Sequence, residues 1–207
     1  MKTTKGPREA DRVVVTLPLG VLKKGSVVFR PALPESKRLA IARLGMGLLD
    51  KLWLRFPRAF WGARDNDLIG FVGANRGAWA ETVDFQHVLG KPVLLCFQAG
   101  SVARASEALP DDRIVASAME WIRAAFGSDA PDPVASQRTR WAADPFAFGS
   151  YSFFANGSTP RDAEALAASV GGRVFFAGEA TSSNHPATVH GAFASGLRAA
   201  QELLDAR

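Results

Sequence analysis

From Arg173 to Leu204 the sequence permits little besides a buried strand, a small-residue turn and a helix. Arg173-Val174-Phe175-Phe176-Ala177 is a short apolar run of the kind found in strands covered on both faces. Gly178 and the polar stretch up to Pro186 break it. A helix is predicted from about Ala187 to Leu204, with Pro186 near its first turn, where a missing N–H costs nothing. Ala187, Gly191 and Ser195 recur at every fourth position, so one side of this helix is nearly bare. That side has two readings: a face packed on a sheet, or a surface that something flat approaches closely. The free N–H groups at the helix start carry about half a positive charge, which suits an anion or an electron-rich carbonyl.

Upstream, Arg12–Thr16 is a second β-branched run, ended by Pro18 and turned at Gly20. Val27–Phe29 reads as a short strand. Pro34-Glu35-Ser36 start a helix with Leu39, Ile41 and Leu44 on its apolar side, ended by Gly45. Leu48–Phe56 alternates strictly: Leu52, Leu54 and Phe56 point one way, and Lys51, Trp53 and Arg55 the other. Further strands are predicted over Ile69–Val72, Trp79–Phe85 and Val93–Gln98. Asp111 and Asp112 are expected to cap a long helix whose inner side carries Ile114, Val115, Ala118, Met119, Ile122 and Phe126, closed by Gly127. After a Pro-rich loop, Ala130–Pro133, an irregular aromatic segment covers Trp141–Phe154, and Leu166–Val170 reads as a short helix. The expected fold class is α/β (α+β), a mixed-sheet lobe flanked by helices plus a C-terminal strand–helix piece.

Composition excludes several alternatives. With 207 residues, 47% of them hydrophobic, the chain can bury a core. The net charge of +5 is spread out, so a basic surface is expected rather than a nucleic-acid site. The single cysteine, Cys96, sits in the apolar run Val93–Phe97, cannot form an internal disulfide, and reads as a buried inert thiol. No zinc spacing and no apolar run of about 20 residues is present. Met1–Asp11 lacks an apolar signal core, so a cytoplasmic protein without membrane contact is expected. Asn156-Gly157-Ser158 is read as a turn.

The blocks Phe176-Ala177-Gly178-Glu179-Ala180-Thr181, Pro186-Ala187-Thr188-Val189-His190-Gly191-Ala192 and Ser195-Gly196-Leu197-Arg198-Ala199-Ala200 closely resemble the C-terminal FAD motif of flavin-containing amine oxidases. That family includes monoamine and polyamine oxidases and lysine-specific histone demethylases. Thr16-Leu17-Pro18-Leu19-Gly20-Val21-Leu22, Gly47–Phe56 and Arg140-Trp141-Ala142-Ala143-Asp144-Pro145-Phe146 followed by Gly149-Ser150-Tyr151-Ser152 resemble further family blocks, in family order.

The resemblance implies roles. Gly178 and Glu179 approach the FAD phosphates and ribityl chain. Thr188 and Val189 stand beside the flavin pyrimidine ring, while His190, in the same turn, is assigned a structural role rather than that of a base. Lys51 is the catalytic lysine that holds a water near flavin N5, and Trp141 packs near the flavin. Tyr151 is one wall of an aromatic substrate cage. Thr188 occupies the place of the second wall, as in histone demethylases, which leaves the cage half open and favours a longer amine. Ser150 stands where covalently flavinylated members carry cysteine, so FAD is expected to be non-covalent.

The resemblance divides the chain into a strand returning from the FAD-binding domain (residues 1–22), a substrate-binding lobe (23–165) and a C-terminal FAD-binding segment (166–207). No G-x-G-x-x-G unit is found; Gly45-Met46-Gly47 is not one. The missing N-terminal FAD-binding half is therefore an expected partner, and the chain alone is expected to bind FAD poorly and to be inactive. Exposed apolar surface is predicted at Val13–Val15 and Val174–Phe176. The expected function is FAD-dependent oxidation of an amine, preferably a polyamine, by O2 with release of H2O2. The alternatives are a non-catalytic fragment acting as a binding or assembly partner, and a histone-demethylase-like enzyme.

Overall fold

The computed structural model describes residues 2–62, 67–73 and 77–206. The chain forms two compact units, Met1–Gly47 with Pro145–Arg207, and Leu48–Asp144.

Leu48–Asp144 is built on a five-stranded antiparallel sheet, in the order Leu68–Gly70, Glu81–Asp84, Val93–Ala99, Leu49–Arg55, Ala135–Arg138. The strict alternation of Leu49–Arg55 sets its register: Leu52 faces Cys96 and Leu54 faces Leu94, all buried. The helix Asp111–Phe126 adds Ile114, Ala118, Met119, Trp121 and Ile122 to the same core. Burying a side chain such as Leu54 stabilises the unit by about 1.5–3 kcal/mol. Cys96 is fully buried beside Thr82, and burial pushes its thiol up to about 12, so it is inert.

In the other unit the strand Val13–Val15 pairs in parallel with Val174–Phe176. The same unit also pairs Gly45–Met46 antiparallel with Ser152–Phe153, so it mixes both kinds of pairing. The last helix, Val189–Asp205, packs Ala199 against Phe175 and Ala177. The Arg12 guanidinium donates to the Leu203 and Ala206 carbonyls at this helix's C-terminus, where a cation complements the helix dipole. The helices Leu19–Lys24, Glu35–Arg43 and Pro160–Ala167 share a small core of Leu19, Ala40, Leu44, Leu166 and Ala180.

The structure differs from the sequence reading in particulars. Residues Val27–Phe29 are irregular, and Gly20 lies inside a helix rather than at a turn. A Cβ on Gly20 would sit 2.1 Å from the Ala147 carbonyl, so glycine is demanded by close approach. On Glu35–Arg43 the buried positions are Lys37 and Ala40, while Leu39 is exposed. Pro110 is the cap of Asp111–Phe126, and Asp111 and Asp112 lie in its first turn. The helix expected at Leu166–Val170 runs instead from Pro160 to Ala167, opened by Thr159, whose N–H donates to Asp162 Oδ2 at 2.8 Å. Of the two runs expected to be exposed, only Val13 and Val14 are; Phe175 and Phe176 are buried. Among the described residues no helix is long and apolar enough to cross a membrane, and no group of three or more His, Cys, Asp or Glu residues could hold a metal.

Candidate active site

In the first unit one carboxylate organises the site. The strand Val174–Phe176 ends at Gly178, which has φ +129 and opens a 3-10 turn, Glu179–Thr181. Glu179 accepts from the Ser152 amide at 3.0 Å, the Ser152 hydroxyl at 2.6 Å and the Ala187 amide at 2.6 Å. It thereby ties the segment after Tyr151 to the residue before Thr188. Its carboxylate is committed to these internal bonds, so Glu179 acts as a loop organiser rather than as a free carboxylate. The Gly178 amide likewise donates inward, to Ser195 Oγ at 2.8 Å. A Cβ on Gly178 would meet nothing within 4 Å; glycine is required by its backbone angle and leaves open space beside it.

The small-residue side of the last helix faces inward. Gly191, Ser195 and Ala199 are its buried positions, and a Cβ on Gly191 would lie 1.9 Å from the His185 carbonyl. Of the two readings of the bare side, the packed face is therefore the one seen. Ala187 lies ahead of the helix with φ +60, and Pro186 is outside the first turn. Thr188 is the N-cap: its Oγ1 accepts from the Gly191 amide at 3.0 Å and donates to the His185 carbonyl at 2.8 Å. The Thr188 hydroxyl is thus used in capping, and its methyl group is what remains to meet a substrate. No hydrogen bond from the Val189 or His190 amide is seen among the described residues, as the first turn of a helix leaves them. Val189 is 89% exposed, and His190 packs its ring edge-on against His185 at 4.8 Å.

Tyr151 is 37% exposed and borders Gly47, where a Cβ would lie 3.4 Å from its ring. Met46 and Gly45 pair with Ser152 and Phe153, and the bare Gly45 receives the Phe153 ring. Gly178, Glu179, Thr188, Val189 and the Tyr151 segment are therefore brought together within this unit.

Lys51 and Trp141 belong to the other unit, and they too are joined by a carboxylate. Asp50 Oδ1 accepts from Thr139 Oγ1 at 2.9 Å and from the Trp141 amide at 3.1 Å. Thr139 Oγ1 accepts from the Lys51 amide at 2.9 Å. The Lys51 ammonium donates to the Leu49 carbonyl at 3.3 Å, and burial lowers its pKa, opposed by Asp50. Lys51, Asp50, Trp79, Gln98, Arg138 and Thr139 line a polar cavity wide enough for about one water molecule. Trp141 Nε1 is buried without a partner.

The sequence reading gave no site role to Ser152, Ser195 or Asp50. Ser152 and Ser195 carry no signal as isolated residues. Asp50 did carry one: it shares the parity of Leu52 and Leu54, which places an acid on the buried side of a strand.

A family model described as flavin containing amine oxidoreductase matches residues 1–204. "Lysine-specific histone demethylase 1 homolog 2" of Arabidopsis thaliana is 42% identical over 202 residues, covering 95% of this chain and 27% of that protein. "Lysine-specific histone demethylase 1 homolog 3" of Oryza sativa subsp. indica is 44% identical over 202 residues, covering 94% and 25%. The chain thus spans about a quarter of the length of these relatives. A putrescine oxidase structure bound to putrescine superposes with a TM-score of 0.78 at 21% identity, covering 95% of this chain and 43% of that one, a likeness of fold.

Proposed function

Because the chain belongs to the flavin-containing amine oxidoreductase family, we propose that it supplies the substrate-facing and flavin-facing parts of an enzyme that oxidises a long aliphatic amine, with FAD held non-covalently. The observation that carries this reading is Glu179 binding both Ser152 and Ala187, which fixes the Tyr151 segment beside the Thr188 cap. When bound, the flavin supplies the electron acceptor for the hydride of the amine's α-carbon, and dioxygen restores it with formation of hydrogen peroxide.

The residues of this chain fit such a group. The open amides of Val189 and His190 lie on the positive end of a long helix, suited to an electron-rich carbonyl edge. The backbone at Gly178 leaves space where a flat ligand passes. Ser150, lacking a thiol, offers no sulfur for a covalent link. Lys51 holds a water in its small polar cavity, and its lowered pKa eases proton exchange there. Tyr151 presents one ring face to an amine, and Thr188 presents only a methyl, so the cage is open on one side.

A polyamine is favoured by the sequence motifs, but relatives at 42% and 44% identity are named as lysine-specific histone demethylases, whereas the putrescine oxidase likeness is at 21%. An N-methylated lysine side chain is therefore the first candidate. A polyamine is the second, favoured by the single tyrosine wall, which grips an elongated amine without selecting a methyl group. The test is an assay of the chain reconstituted with FAD and a dinucleotide-binding half from a relative. Methylated-lysine peptide should give peroxide and formaldehyde; peroxide with an aminoaldehyde from spermidine or spermine supports the second candidate. Flavin uptake without peroxide from any amine would contradict both.

A further inference from the structure

Asp50 is only 8% exposed, and its Oδ2 is buried without a hydrogen-bond partner. Its Oδ1 already takes two donors, Thr139 Oγ1 and the Trp141 amide. The next amide along, that of Ala142, donates to Glu107 Oε1 at 2.7 Å. Consecutive amides thus hold two carboxyl groups side by side, in hydrogen-bonding contact with each other. Neither carboxylate can donate when ionised, so within the pair the orphan oxygen is satisfied when one of them keeps a proton. Two ionised carboxylates at such range repel, and the favoured state carries one proton between them.

We propose that Asp50 and Glu107 share a single proton, and that the pair is a positioning element beside Lys51. Glu107 is the donor in this pair. Burial pushes its carboxyl above the usual range, the Ala142 amide opposes, Asp50 raises it further and the Ala143 amide opposes again. The charged groups beside Asp50 in the cavity are Lys51 on the same strand and Arg138 on the neighbouring strand. Arg138 and Asp111 are committed to each other, with Nε to Oδ1 at 2.7 Å. Arg138 also donates to the Ser106 carbonyl at 3.0 Å. Arg138 is therefore not free to pair with Asp50, and the shared proton takes that place.

The proposal rests on the reading of Lys51 as a functional lysine, but its test does not require flavin. Infrared difference spectroscopy of the 207-residue chain just above the ordinary glutamate range should show a protonated carboxyl stretch that shifts in D2O. The band should vanish in both Glu107→Gln and Asp50→Asn, and in unfolded wild type at the same pH. A folded pKa raised above the unfolded value stabilises at low pH, and that stability is lost as pH rises through the folded value. The melting temperature of wild type should therefore fall relative to Glu107→Gln as pH rises above the ordinary glutamate range. If the folded wild type shows no protonated carboxyl, a bridging water satisfies Asp50 and the proposal is overturned. A band that survives both substitutions overturns it too. Should a variant fail to fold, the wild-type band, titrated in the folded and unfolded chain, decides alone. A flavin-free failure of the Lys51 reading would leave this band unchanged.

Discussion

Two carboxylates organise the two units, and they do so in opposite ways. Glu179 is met by the Ser152 hydroxyl and by two backbone amides, so each of its bonds fixes a segment of chain. Asp50 is met on one oxygen only, and the other is left to a second carboxyl group. A saturated carboxylate holds geometry; an unsaturated one retains a choice of protonation state. The first builds the edge of the candidate cage, and the second sits beside the candidate catalytic lysine.

The comparison can be broken most sharply at Glu179. Glu179→Ala leaves donors at Ser152 and Ala187 without an acceptor. It should cost about 4 kcal/mol, read from the denaturant midpoint, because hydrogen bonds to charged groups contribute about 1.5–3 kcal/mol each and are not additive here. A loss below about 1 kcal/mol would mean that water replaces the carboxylate.

Lys37 offers a third way of burying a charge. It is 1% exposed, lies 3.8 Å from the Phe176 ring centroid and donates to the Ala165 and Leu166 carbonyls. Burial, then Arg198, lower its pKa against the opposing Glu202, to about 8. The unfolded chain binds the proton more tightly, so stability should rise as pH climbs from about 8 towards 10.5. The gain is at most about 3 kcal/mol. Lys37→Met should abolish it; equal pH profiles for the two proteins would refute the assignment.

Smaller effects separate capping from chemistry. Thr188→Ala should lower stability by about 1 kcal/mol through loss of the N-cap, and Thr188→Ser should restore it. Asp50→Asn should change stability at neutral pH least, by about 0.5 kcal/mol or less, since the amide can donate where the shared proton did. A large loss there would show that Asp50 is as structural as Glu179.

Much of this was legible where burial imposes a period. The alternation through Leu52, Leu54 and Phe56 placed the strand Leu49–Arg55, and Ile114, Ala118, Met119 and Ile122 placed the long helix. The start of the last helix was read two residues early, because Ala187 looks helical while its φ is +60. Gly100–Glu107, poor in large apolar residues, gave no helical stripe. Ala135–Arg138 is an edge strand of polar composition and gave no strand signal. In the site, motif resemblance named Gly178, Glu179 and Thr188; Thr188 is bonded locally, but the inward hydrogen bonds of Gly178 and Glu179 depend on Ser195 and Ser152, which are distant in sequence. Residue types identify such groups; only the folded backbone assigns their partners.

The central claim is that Glu179 fixes a flavin-facing cage at the start of the last helix. Visible absorbance of the chain, reconstituted with FAD and a dinucleotide-binding half, addresses it directly when a long amine is added without oxygen. The account predicts retained flavin bands that bleach with the amine, and no retained flavin in Glu179→Ala. Bands that are equally retained and bleached in Glu179→Ala, or never acquired by the wild type, would contradict it.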